Sequence, residues 1–295
     1  MLRIVGFGIL LSAILLFGCK DPAANSTETV KTGQNKQDRA NPGDRFKEME
    51  RKALKEAFRG VETPDGKVKD LFPIRATGIS TAPIKKAADA LLNSLSDEQK
   101  KKVLFPIDDN EWRKWSNVDN GIYKRQGISL KEMSEKQKRT AFGLMKASLS
   151  AKGLQLSRDI MKTDQTLREI QDGAEAFDEE LYFFTIMGTP SDKDPWGWQV
   201  DGHHLVVNYF ILGDQIVMTP VFMGGEPIIT TSGKYKGNTI LQDEQNKGLK
   251  FMQSLSEDLQ KKATVSNEKG RSNNKAEANK DNITIEYEGV SASKF

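Results

Sequence analysis

Apolar positions recur at helical spacing through the first half of the chain and condense into short β-type runs further on. Over residues 45–60, Phe46, Met49, Leu54, Ala57 and Phe58 mark a loose helical face, and the proline- and glycine-containing stretch 61–83 reads as loop. A stronger helix is predicted over 84–103, with Ala87, Ala88, Leu91, Leu92 and Leu95 on one side. Two more follow. Residues 130–150 carry Met133, Phe142, Leu144, Met145 and Leu149; residues 154–170 carry Leu156, Ile160, Met161, Leu167 and Ile170.

The pattern then changes. Residues 181–187 (LYFFTIM) form an apolar, aromatic run closed by Gly188 and Pro190, which predicts a strand. Two β-rich runs, 203–212 and 215–223, flank Gly213-Asp214, a suitable two-residue hairpin turn. Residues 240–263 return to helix, 264–281 are polar loop, and 283–287 can form a last short strand. Segregated helices and strands predict an α+β fold. It has a helical N-terminal half, a small antiparallel sheet (hairpin 203–223 plus strand 181–187) and a C-terminal helix.

A weak internal echo links Ser96-Asp97-Glu98, Ser134-Glu135-Lys136 and Ser256-Glu257-Asp258. A serine hydroxyl can accept from free helix amides, and following acids meet the positive end of the helix dipole. All three serines are therefore predicted N-caps rather than members of a repeat.

The N-terminus carries an address. Met1 to Arg3 make a short positive start, an apolar run covers 4–17, and Gly18-Cys19 closes it. This is the layout of a secretory signal, too short for the roughly 20 residues of a spanning helix. Leu16-Phe17-Gly18-Cys19 also resembles a bacterial lipobox. The expectation is a signal peptide over 1–18, a lipidated Cys19, and a polar tether over 19–44 whose composition cannot offset its ordering entropy. A single α+β domain would span 45–265, followed by a polar tail, 266–295. The expected location is the cell envelope, lipid-anchored, on the periplasmic side of the outer membrane in a Gram-negative host.

Composition narrows the chemistry. Lys plus Arg number 44 against 41 for Asp plus Glu, a balance that argues against nucleic acid as a partner. Cys19 is the only cysteine, which excludes an internal disulfide or a cysteine-based zinc cluster. The chain has no Gly-x-Ser-x-Gly elbow and no phosphate-binding Gly-x-x-x-x-Gly-Lys loop.

What remains is the densest cluster of unusual residues, from Trp196 to Leu205, which holds the only two histidines, His203 and His204. Extending the register from Gly213-Asp214 sets Asn208 opposite Thr219, His204 opposite Met223, His203 opposite Gly224 and Asp201 opposite Glu226. On a regular strand adjacent side chains face opposite ways. Both imidazoles could then meet one metal only if Gly202 interrupts the strand. Three readings stay open. One is a divalent metal on His203, His204 and Glu226 or Asp201. Another is acid–base catalysis by a histidine beside a carboxylate, and the third is a structural pair. Trp198, Arg113, Trp115 and Asn208 are the candidate ligand-contacting residues, an Arg–Trp pair being suited to planar or anionic ligands. Arg125 shows no special context.

Several motifs together resemble the domain-of-unknown-function 3500 family over about residues 80–265. They include Leu95-Ser96-Asp97-Glu98-Gln99, Leu104-Phe105-Pro106, Gly127-Ile128-Ser129-Leu130, Gly188-Thr189-Pro190-Ser191, Trp196-Gly197-Trp198 and Gly202-His203-His204-Leu205. The resemblance implies boundaries and a site, not a reaction. It also implies a further helix after Glu286-Tyr287-Glu288-Gly289-Val290-Ser291, so a shortened C-terminus is expected. The functional expectation is a membrane-tethered pocket enzyme of hydrolytic type, with a divalent metal as candidate cofactor. A small-ligand-binding lipoprotein without catalysis is the alternative.

Overall fold

The computed structural model describes residues 41–67, 73, 75–268 and 281–294. The predicted signal, Cys19 and nearly all of the predicted tether lie outside them. The first helix, α1 (Pro42–Ala53), starts inside the segment expected to be tether, because Asn41 caps it and Pro42 opens it.

Each predicted serine cap interrupts a longer predicted helix. Ser96 separates α2 (Ala82–Ser94) from α3 (Asp97–Val103), its hydroxyl accepting from the Gln99 amide while the Gln99 side chain accepts from the Ser96 amide. Ser134 opens α4 (Glu135–Ser148) with the same reciprocal pair. Ser150 opens α5 (Ala151–Ile170), and Ser256 divides α6 (Gln242–Ser254) from α7 (Glu257–Ala263). A satisfied cap outcompetes a continued apolar stripe where the next residues are charged.

The α+β class holds, but the sheet is mixed rather than small and antiparallel, and helices also follow it. Among the described residues seven strands join in one sheet, with the path β2 (Leu104–Phe105), β4 (Phe183–Met187), β5 (Trp196–Gly202), β6 (Leu205–Leu212) and β7 (Gln215–Val217). The short β3 (Ile128–Ser129) also pairs with β4, and β8 (Val221–Met223) with β6. Only β2 runs parallel to its neighbour. A separate two-stranded parallel pair joins β1 (Val61–Glu62) to β9 (Ile283–Thr284), so residues of the predicted polar tail pack back on the domain.

β5 and β6 are buried on both faces. One face carries Trp196, Trp198, Val200, Leu205, Val207, Tyr209 and Ile211, packed in one core with Ala88 and Leu91 of α2, Leu144 and Met145 of α4 and Ile160 of α5. The other face is polar yet covered. Gln199 and Asn208 are cross-strand partners and hydrogen-bond at 2.7 Å, and Asp201 meets Arg125. The covering segment runs along residues 110–125, where Trp112 packs edge-on against Phe210.

The Gly213-Asp214 turn forms, and Leu212, Ile211 and Phe210 pair with Gln215, Ile216 and Val217 as predicted. Beyond that point the register slips by one residue. Val207 pairs with Val221 and Leu205 with Met223, leaving one extra residue over 218–220. The backbone amide and the side-chain amide of Asn208 both donate to the Pro220 carbonyl, at 3.3 and 3.0 Å, and hold the displaced chain. His204 is therefore bonded to Gly224, whose amide donates to its carbonyl at 2.8 Å, instead of lying opposite Met223.

Candidate functional site

His203 and His204 do not lie on a strand. They form the two-residue turn between β5 and β6, with Gly202 paired to Leu205 on either side. His204 takes up φ 60°, the left-handed region that costs an L-residue of this type energy. In a turn the alternation of a strand no longer applies, and the two imidazoles stack, ring centres 3.8 Å apart with 29° between their planes.

The carboxylate beside them is Asp164 of α5, which no sequence feature near the histidines indicated. His203 Nδ1 lies 2.7 Å from Asp164 Oδ1, and Asp164 is wholly buried. The Tyr182 hydroxyl donates to Asp164 Oδ2 at 2.7 Å and also lies 3.0 Å from the His203 carbonyl oxygen. Phe177 tilts against His203 and Phe222 stacks near His204. Burial pushes the Asp164 carboxyl above its ordinary range, opposed by the hydrogen bond and charge of His203. Burial, reinforced by Asp164, pushes the Tyr182 phenol up as well, so its hydroxyl stays a donor.

Local sequence explains the assembly. Asp164 sits in the core-facing stripe of α5, between Ile160 and Leu167, so the helix that packs on the sheet carries the carboxylate inward. Tyr182 precedes β4 and fits only because residue 202 is glycine: a Cβ there would come within 2.2 Å of the Tyr182 ring. An acid interrupting an apolar helical stripe was the available signal for Asp164.

The other predicted residues fall elsewhere. Asp201 is buried against Arg125, with Arg125 Nε 3.2 Å from its Oδ1. The same guanidinium donates to the Ser116 and Val118 carbonyls and to Asn120 Oδ1, which gives Arg125 the context its sequence lacks. Burial raises Asp201 to about 6 in spite of that cation. Nearby, burial lifts Glu111 to about 7, against the bond donated by Gln126. Glu226 is exposed, and the slipped register separates it from the position opposite Asp201 that sequence predicted.

Trp198 is not a pocket wall. It is stacked in the core between Phe184 and Tyr209, fully buried. Trp115 is likewise a core residue. Arg113 is spent on structure: it grips Asp281 through Nε (2.5 Å) and Nη2 (3.3 Å) and donates to the Ala53 and Glu56 carbonyls. Asn208 holds the slipped strand. Open cavities of about 260–350 Å³ lie against α1, between α4 and α5, and beside the start of α6, and neither histidine lines any of these three.

Asp164, His203 and His204 each offer a ligand atom, all within 4.8 Å of one another. A metal must lie near the plane of every imidazole it binds. Two rings stacked at 3.8 Å with a 29° tilt are poorly disposed to hold one ion in both planes. Asp164 engages Nδ1 of His203 and so orients the ring, Nε2 being the nitrogen turned from that carboxylate.

Fold and site together define an α+β protein organised around a buried Asp–His–Tyr cluster at a hairpin turn. The chain belongs to the DUF3500 family, described as proteins of unknown function, whose family model matches residues 77–295. The match extends past the resemblance seen at 80–265 and includes β9. No match was found among curated proteins or among solved structures.

Proposed function

We propose that the protein is an envelope-tethered enzyme of hydrolytic type in which His203 is the proton-transferring group. The observation that supports this most is the 2.7 Å contact between His203 Nδ1 and the wholly buried Asp164. A carboxylate so placed fixes the tautomer with Nε2 unprotonated and stabilises the imidazolium formed during reaction. His203 Nε2 would accept a proton from water as its oxygen adds to a carbonyl or phosphoryl centre, and return that proton to the departing group as the old bond breaks. Tyr182 and Gly202 act through Asp164 as positioning residues. Tethering rests on the lipobox-like sequence ending at Cys19 and is tested by membrane fractionation of Cys19→Ser, which should release the protein.

The enzymatic test is turnover of p-nitrophenyl acetate, p-nitrophenyl phosphate and a peptide anilide. His203→Gln and Asp164→Asn should each lower a measured rate by about 10²-fold or more while thermal unfolding stays cooperative. Rates in both variants equal to that of the parent protein, or no turnover of any probe, would overturn the reading. Saturable small-molecule binding without turnover would favour the non-catalytic lipoprotein instead.

A divalent metal on Asp164, His203 and His204 is the second reading, favoured by their three ligand atoms within 4.8 Å. It requires one imidazole to swing out of the stack. Stoichiometric metal in the purified protein, lost in Asp164→Asn and His204→Ala, would select it over metal-free proton transfer.

A further inference from the structure

We propose that the groove between α4 and α5 binds a small organic carboxylate with an apolar or aromatic body. It does not rest on the reading of the histidine pair. The groove encloses about 260 Å³, with Leu130, Phe142 and Met161 among its apolar lining and Arg158, Lys162 and Tyr235 among its polar lining. That volume falls below the roughly 300–1,000 Å³ of sites for larger ligands, which points to a single-ring or short-chain acid.

The charges in the groove are nearly all committed. Lys138 pairs with Glu180 and Glu135, and Lys162 with Asp159 at 2.7 Å. Glu179 accepts from both Lys234 and the Tyr235 hydroxyl. Arg158 is the exception. Its guanidinium carbon lies 4.5 Å from the centre of the Phe142 ring, and among the described residues no carboxylate lies within 4 Å of it. An aromatic ring restrains a guanidinium while leaving its N–H fork open at the edge, the geometry that takes a carboxylate in two parallel bonds. One uncommitted cation, with Glu179 and Glu180 on the same wall, suits a monoanion and opposes a phosphate dianion.

Calorimetric and NMR titration of the purified protein with benzoate, benzamide and phenyl phosphate tests this. Benzoate should bind saturably with millimolar affinity and shift the Phe142 and Tyr235 ring resonances. Benzamide, which has the same shape without the charge, should bind at least tenfold more weakly, and Arg158→Gln should weaken benzoate at least tenfold. Arg158 is exposed, so unchanged thermal unfolding should accompany that loss. Absent saturation by benzoate, equal binding of benzamide, unaltered affinity in Arg158→Gln, or tighter binding of phenyl phosphate would each overturn the assignment.

Discussion

His203 Nδ1 and Asp164 Oδ1 stand 2.7 Å apart, joining a hairpin turn to the middle of the longest described helix. The two partners contribute unequally to stability. Truncating His203 to alanine strands a buried carboxylate, whose loss of its partner costs about 3–5 kcal/mol. Asp164→Asn keeps shape and an acceptor, and should cost about 1 kcal/mol. Urea unfolding of the two variants measures the asymmetry, and equal losses would contradict it.

Gly202→Ala places a methyl carbon 2.2 Å from the ring of Tyr182, a side chain with no room to retreat. The expected loss is about 1–3 kcal/mol from overpacking, accompanied by displacement of the Tyr182 hydroxyl from Asp164. A Tyr182→Phe, Gly202→Ala double variant should not recover stability, because the ring remains. Thermal melts of the single and double variants decide the point.

Stability should depend on pH through Glu111. Burial raises its folded pKa from 4.5 to about 7, so between those values the folded protein holds the proton more tightly than the unfolded chain. Stability is then highest below the unfolded value and falls as pH rises to about 7, by at most about 3 kcal/mol from this group. Asp201, raised from 3.8 to about 6, acts in the same direction over its own window. Glu111→Gln should flatten the profile between pH 5 and 8 and exceed the parent protein in stability at pH 8. Urea midpoints across that range provide the check.

Asp281 closes the C-terminal segment onto Arg113, both nearly buried. Asp281→Ala should cost about 3 kcal/mol by leaving the guanidinium without its carboxylate. The loss is local: the Ile285 amide, which donates to the Glu62 carbonyl at 2.8 Å, should lose at least tenfold of its hydrogen-exchange protection. Amides of β6 should keep theirs.

Periodicity and capping chemistry made much of the framework legible. Ser96, Ser134 and Ser256 marked helix starts correctly because a cap is a local bargain between one hydroxyl and a few amides. Strand β5 escaped because its two glycines and alternating polar residues, Gln199 and Asp201, give no apolar run, although the helices bury one of its faces and the covering segment the other. The histidines were legible as a cluster but not as a turn, since their conformation depends on β5 existing. Asp164 is remote in sequence, brought in by tertiary packing. Trp198, Trp115 and Arg113 have the residue types of a binding wall yet serve the core and a tail clamp, a difference that only burial reveals.

The extra residue at 218–220 also acts as a gear between two halves of one β-ribbon. Asn208 and Tyr209 stand across from three residues, Met218, Thr219 and Pro220, and this surplus sets Phe222 opposite Val206, its ring 6.4 Å from that of His204. Which side chain of the return strand arrives beside the imidazole stack is thus decided in a short connection outside both β7 and β8.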